Sequence, residues 1–258
     1  MSSEYTPTAT EVPDLYVHVP KTGGTSLQTA VMSTYGARFT YAYEVKGGRL
    51  VRADRRLVRR ESPRYMALEA VIKHIPPLLL RAGVQVGTEV LATREDEAFQ
   101  KAGAIIGHFT VDTFNHVAGI ERARLFTVVR DPLRRMVSHY RYLQQQKAYP
   151  PGLRGWMEGH DPTLPFADFA LHESVQNFQV GYTGTDPTRF AALGTTETFG
   201  GFLMRAGLVQ ADCLVPHDNR TMWRQRFDDS CLNDPGFLRE FERFHAKDYA
   251  FYSAASEI

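Results

Sequence analysis

The sequence predicts an α/β protein with a central, mainly parallel sheet flanked by helices, and three observations predict it. Short apolar runs, rich in β-branched and aromatic residues, recur at 14–19, 103–107 and 123–129. Patterned helical stretches stand between and after them, as in folds whose strands are joined by crossover helices. Two of the runs stop at a turn signal next to a basic residue, Pro20-Lys21 and Arg130-Asp131-Pro132. In such sheets ligands sit beyond the carboxyl ends of the strands, so Lys21 and Arg130 belong on one rim although they are far apart in the chain.

The elements follow in order. Asp14-Leu-Tyr-Val-His-Val19 reads as a buried strand ended by Pro20, and Thr25–Tyr35 reads as a helix that Thr25 or Ser26 would cap. Seven arginines fall within Arg49–Arg64, several three or four apart, so a helix there would gather them on one face. Such a face is a solvated surface or a docking surface for an anionic acceptor. The run 103–107 ends at His108, and 123–129 leads into a helix from Leu133 to Gln146, with Pro132 in its first turn where a missing N–H costs nothing. Residues 148–165 are rich in Pro and Gly and read as a long loop, the kind that often serves as a lid or binding segment. Helices are expected over Phe166–Val180 and Pro235–Phe251, the latter capped by Asp234.

Composition narrows the function. The 258 residues carry 43% hydrophobic and 23% charged residues with a formal net charge of +1, an ordinary globular balance that argues against a broad nucleic-acid footprint. Any phosphate binding must then come from a local site. Without a Gly/Ser- or Pro-rich linker, one domain over 14–258 after a flexible tail, 1–13, is expected. The tail lacks the basic and apolar segments of a signal peptide, and the best apolar run, Ile75–Leu80, is far shorter than a membrane span. Two cysteines, Cys213 and Cys231, make no disulfide framework. A cytoplasmic protein with reduced thiols is the expectation.

Pro20-Lys-Thr-Gly-Gly-Thr-Ser-Leu27 is the most informative stretch. Gly23 and Gly24 let backbone N–H groups approach an anion, and the helix that starts there adds its dipole and further donors. Thr25 and Ser26 add hydroxyls, and Lys21 adds a mobile charge. The order is not that of a Walker A motif, in which lysine follows the glycines beside a hydroxyl that holds Mg²⁺. A second anchor is Phe126-Thr-Val-Val-Arg130-Asp-Pro-Leu-Arg-Arg-Met-Val-Ser138. It places a planar guanidinium, suited to phosphate oxygens, at a strand end, with a serine two turns into the next helix. Of the neighbouring arginines Arg134, Arg135 and Arg141, at least two are expected to be ordinary surface residues.

His18-Val-Pro-Lys-Thr-Gly-Gly-Thr-Ser-Leu27 resembles the 5′-phosphosulfate-binding loop of sulfotransferases that use 3′-phosphoadenosine 5′-phosphosulfate (PAPS). The flavour is that of the heparan sulfate 2-O- and 6-O-sulfotransferases and their bacterial relatives. The resemblance implies a P-loop-like three-layer fold, PAPS as co-substrate with PAP as product, and no metal. It implies that Lys21, Thr22, Gly23, Gly24, Thr25 and Ser26 hold the 5′-phosphate side, and that Arg130 and Ser138 grip the 3′-phosphate. Gly107-His108, with Phe114 closing the element, is similar to the family's Gly-His-x-x-x-x-x-Phe segment, whose histidine acts as base. An imidazole with a near-neutral pKa suits removal of a hydroxyl proton, and Glu44 is the reserve candidate. His18, inside the first strand, more plausibly packs than reacts. Asn177-Phe-Gln179 is similar to an Asn-x-Gln segment near the acceptor and nucleotide, Leu193–Phe199 to a stretch that puts Thr195 beside the adenine, and Asp248–Tyr252 to the family's C-terminal helix.

The expected reaction is direct in-line transfer of a sulfuryl group to a hydroxyl on a glycan, lipid or small natural product. No membrane anchor or disulfide set like that of the animal glycan enzymes is present, which weakens the case for a heparan-like polymer. A P-loop kinase using ATP and Mg²⁺, or a non-catalytic nucleotide-binding module, are the alternative readings.

Overall fold

A computed structural model describes residues 12–42, 44–46, 49–53, 90–94, 102–117, 119–146, 163–208 and 227–257. The three predicted runs become strands β1 (Asp14–Val17), β6 (Ala104–Gly107) and β7 (Leu125–Val129). Two further strands, β2 (Phe39–Ala42) and β8 (Phe190–Thr195), complete a five-stranded sheet in the order β2-β6-β1-β7-β8. Every pairing in it is parallel. Sequence reasoning missed β2 and β8, because Phe-Thr-Tyr-Ala is very short and Phe-Ala-Ala-Leu-Gly-Thr has little intrinsic strand preference. Their pairing to the sheet edges decides them.

Each core strand alternates its side chains between two faces, as strand geometry requires. Leu15, Val17, Ile105, Val129 and Leu193 line one face, which Phe251 and Ala255 cover. Tyr16, Ala104, Ile106, Phe126, Val128 and Ala192 line the other, where they meet Leu27, Ala30 and Val31 of helix α1 (Gly24–Tyr35). Helix–sheet–helix layering of a P-loop-like α/β fold results. Helix α2 (Pro132–Gln146) carries Met136, Tyr140 and Leu143 into a third core with aromatic residues such as Phe166, Phe169 and Phe241. Asp131 Oδ1 accepts from Arg134 N at 2.8 Å and so caps α2 just ahead of Pro132.

Two helices expected to be continuous are broken, and the breaks lock together. Phe166–Val180 resolves into α3 (Phe166–Ala170), a 3₁₀ turn at Glu173–Val175, and α4 (Phe178–Thr183). Beyond α5 (Phe199–Arg205), the C-terminal segment divides at His245 into α6 (Pro235–Phe244), capped by Asp234 as expected, and α7 (Ala246–Ser256). His245 Nε2 donates to the Ala170 carbonyl at 2.9 Å, which leaves its Nδ1 to accept from Asn177 N at 3.2 Å. Asn177 in turn takes a left-handed φ of 47° and accepts from the N–H groups of Lys247 and Asp248 at the start of α7. Tertiary hydrogen bonds outweigh helix propensity at both breaks.

The arginine-rich segment also departs from expectation. Arg49–Ala53 is β4, the middle strand of an antiparallel sheet with β3 (Glu44–Lys46) and β5 (Val90–Arg94), and not part of a helix. Residues 54–64 lie outside the description, as do 1–11, 148–162 and Cys213. Cys231 is a free thiol. Among the described residues no helix is long and apolar enough to cross a membrane.

The closeness of α5 to β8 depends on Gly194. A Cβ there would stand 2.5 Å from Phe202 Cβ, and Phe202 is fully buried. Gly194→Ala is expected to destabilise the protein by about 1–3 kcal/mol through overpacking, measured as a lower denaturation midpoint in urea.

Candidate functional site

Four adjacent parallel strands, β6, β1, β7 and β8, run off the same edge of the sheet, and each delivers part of one site. β1 leads into the Lys21–Gly24 turn, β6 into His108, β7 into Arg130, and β8 into Thr195 and Thr196. The sheet's hydrogen bonding continues one step past the strands, with His18 N donating to Gly107 O and Thr196 N donating to Val129 O, each at 2.9 Å. This keeps the departing chains in register where the chemistry-bearing residues begin.

The turn after β1 is built for close backbone approach. Lys21 adopts φ 72° and Gly23 φ 84°. The left-handed conformation costs a non-glycine residue about 1–2 kcal/mol, and turns that keep it cluster at functional sites. Thr22, almost fully buried, closes the turn by donating its hydroxyl to the Val19 carbonyl at 2.8 Å. Its hydroxyl is therefore committed to the fold and not to a ligand. Gly23 takes the N-cap position expected of Thr25 or Ser26, and no side chain caps α1. The first helical turn thus presents its backbone donors without a side chain folded over them, with Thr25 and Ser26 half-buried just inside. Gly24 lets the helix start against His18, since a Cβ at this position would lie 1.5 Å from the His18 Nε2.

Lys21 and Arg130 are brought together. Arg130 Nη1 lies 3.5 Å from the Lys21 carbonyl oxygen. Burial and then the Arg130 charge push the Lys21 ammonium down to about 8. Its Nζ rests 4.3 Å from the centre of the Tyr142 ring on α2, a cation–π contact. Ser138 is half-buried on the same helix one turn earlier, so it shares the face that reaches Lys21. Arg130 is itself lowered by burial, and its Nε is buried without a hydrogen-bond partner among the described residues. A buried guanidinium N–H left unmatched is costly, and an anion oxygen would satisfy it.

Arg130 is held from behind. Gln179, 1% exposed, uses its whole side-chain amide on the Arg130 main chain: Oε1 accepts from Arg130 N at 2.9 Å and Nε2 donates to Arg130 O at 2.8 Å. Asp248 on α7 accepts from Gln179 N and Val180 N at 3.2 and 2.9 Å, which fixes the first turn of α4. Gln179 and Asn177, expected near the acceptor and nucleotide, therefore commit to the fold the Gln179 amide, on Arg130, and the Asn177 Oδ1, on the start of α7. Both act as scaffold for Arg130 and α7. Thr195 is also turned inward, exchanging hydrogen bonds with Thr198, while Thr196 and Phe199 lie within 4 Å of where a Cβ on Gly23 would stand. Glu44 lies in β3, and its side chain is outside the described residues.

Arg135 was missed. Instead of a surface residue it is 1% exposed, donating to His139 Nδ1 at 3.1 Å, lying 4.4 Å over the Phe178 ring and feeling the Asp248 charge. Arg141 is also half-buried, which leaves Arg134 as the exposed member of the three. The signal was available: Arg135, Met136, His139, Tyr140 and Leu143 fall on one helical face. The hydrophobic members of that face outweigh the charge, and burial holds the Arg135 guanidinium down at about 10.

His108 sits at the other side of the Lys21 turn. Its Nδ1 is 3.0 Å from the His18 carbonyl oxygen. A carbonyl only accepts, so Nδ1 carries the proton and Nε2 the lone pair. Burial, partly opposed by this hydrogen bond, moves His108 down to about 4, so it is neutral near pH 7. The site can therefore bind anions at Lys21, Arg130 and the α1 N terminus, and accept a proton at a neutral imidazole beside them. Among the described residues no cluster of His, Cys, Asp or Glu is placed to hold a metal ion.

A family model described as "Sulfotransferase family" matches residues 13–189, which include the Lys21 turn, His108, Arg130 and Gln179. A solved sulfotransferase from Alicyclobacillus acidocaldarius aligns with 95% of this chain and 95% of its own at 14% identity and a TM-score of 0.40. Mouse sulfotransferase SULT7A1 complexed with PAP aligns over 95% of this chain and 64% of its own, at 14% identity and a TM-score of 0.31. No curated protein matches the sequence significantly. On the extent of the family match, the chain belongs to the sulfotransferase family and is an enzyme of sulfuryl transfer.

Proposed function

We propose that the protein transfers the sulfuryl group of PAPS to a hydroxyl of an acceptor, with His108 as general base and Lys21 and Arg130 as the nucleotide's two anchors. The observation that carries this reading is the meeting of Lys21 and Arg130 just beyond the ends of β1 and β7, with the neutral His108 at the end of the neighbouring β6. PAPS supplies the group transferred: the acceptor oxygen bonds to sulfur as the bond from sulfur to the 5′-phosphate oxygen breaks, and PAP leaves.

The residues suit such a ligand. The uncapped start of α1 and Lys21 oppose the charge of a 5′-phosphosulfate, and Lys21 faces the oxygen on which negative charge grows as the leaving group departs. Arg130, whose buried Nε lacks a partner among the described residues, suits the 3′-phosphate, with Ser138 on the adjoining helix. Thr195 belongs to the rim near the base of the nucleotide through its loop and not through its inward hydroxyl. His108 Nε2 takes the acceptor proton while Nδ1–H stays on the His18 carbonyl. The anionic ligand raises the His108 pKa from its low resting value, which strengthens the base when the site is loaded. The acceptor is a hydroxyl compound such as a glycan, lipid or small natural product.

The direct test is to incubate the protein with PAPS and candidate hydroxyl acceptors and look by mass spectrometry for the mass of one added sulfuryl group. PAP alone, in metal-free buffer, is expected to raise the melting temperature. A preference for ATP with Mg²⁺ would instead indicate a kinase, and stabilisation by PAP without turnover on any acceptor a binding module.

Lys21→Ala and His108→Ala are each expected to lower turnover at least about 100-fold, the size common for losing a charge stabiliser or a base. Arg130→Ala is expected to act mainly on PAP affinity, measured by calorimetry. Lys21 also has a chemical signature. With a pKa of about 8 it is about half unprotonated at pH 8, against under about 1% for an ordinary lysine. Cyanate should carbamylate Lys21 ahead of ordinary surface lysines, and PAP should protect it, both read by peptide mass spectrometry.

A further inference from the structure

The His18 side chain carries no part in the reaction above, yet it is wedged between the phosphate-binding turn and His108. Its ring stacks on that of His108, with centroids 4.3 Å apart and planes 28° from parallel. Its carbonyl accepts the His108 Nδ1 proton at 3.0 Å. Its own Nδ1 is buried with no hydrogen-bond partner among the described residues. The glycine at 24 also makes room for this ring, as its missing Cβ would overlap the His18 Nε2.

We propose that His18 is a positioning residue for the base. It sandwiches the His108 ring in one plane with its own flat face, holds the His108 tautomer with its carbonyl, and ties both to the start of α1. This inference rests on the assignment of His108 as base. When His108 takes the acceptor proton at Nε2, the imidazolium lies against a neutral aromatic face. Burial, the neighbouring His108 and Lys21 all keep His18 unprotonated, so the proton stays on His108.

Three variants separate the ring from its nitrogens. His18→Phe keeps a flat face and should hold kcat within a few-fold of the parent. His18→Asn and His18→Leu lose the ring and should lower kcat by about 10–100-fold, the usual cost of removing support from a working group. PAP affinity should remain unchanged in all three, which also verifies the fold. In ¹⁵N spectra of the protein without ligand, His108 should show a single tautomer protonated at Nδ1, replaced by a mixture in His18→Asn and His18→Leu. An equal loss of kcat in His18→Phe and His18→Asn would overturn the proposal in favour of chemistry at a His18 nitrogen. Unchanged kcat and spectra in the variants that lack the ring would overturn it outright, and so would a loss confined to PAP affinity. Failure of the base assignment is distinguishable, because it appears as normal turnover in His108→Ala while the tautomer spectra still report on His18.

Discussion

A parallel sheet sends all of its strands off one edge, and everything functional in this protein depends on what happens to the main chain there. As the ladder ends, backbone N–H and C=O groups lose strand partners and must be satisfied in other ways. At β7 the partner is a side chain, the amide of Gln179, which mimics a neighbouring strand and grips both backbone groups of Arg130. At β1 and β6 the partners are each other, through His18 N and Gly107 O and then through the His18 carbonyl and the His108 ring. The same requirement that closes the sheet therefore aims the basic residues. Binding geometry and backbone satisfaction are one construction.

Support for that edge comes from the end of the chain. Asp248, 2% exposed, would be an unfavourable buried carboxyl on its own, and burial does raise its pKa. Two backbone donors of α4 and the buried Arg135 oppose that cost. The buried charges thus form a connected set and are not isolated. From Asp248 the path runs through α4 and Gln179 to Arg130 in hydrogen bonds of ordinary length. The break between α6 and α7 at His245 is part of this arrangement, because an unbroken helix would lose the capping contacts from Asn177.

Electrostatics at this rim follow from burial more than from pairing. Lys21, His18 and His108 are all shifted toward their neutral forms, with desolvation the largest cause in each case. Groups held against their charged forms would regain them beside a polyanion. Under the proposed function, a neutral histidine, a partly neutral lysine and an obligate cation, Arg130, would divide proton acceptance, charge stabilisation and anchoring among three residues of different chemistry.

Local sequence was enough to place β1, β6 and β7, helix α1, helix α2 and the residues that follow each strand. These depend on apolar periodicity, turn-forming Pro and Gly and the Asp131-Pro132 cap, all of which act over a few residues. It was also enough to single out Lys21, His108 and Arg130, because basic groups at strand ends have few structural uses. What local sequence could not supply was the partner of each polar group. Gln179 and Asn177 read as acceptor contacts, and Arg135 as surface, because an amide or a guanidinium looks the same in the chain whether it meets a ligand or a buried backbone. Nor did the pattern over 166–180 or 235–251 reveal the helix breaks, since their cause is a hydrogen bond between segments about 70 residues apart. The sequence by itself determined which chemistry the chain possesses and on which strand ends it stands. Only the tertiary structure decided which polar groups are consumed by the fold and which remain for a ligand, because that depends on contacts between segments that no local pattern encodes.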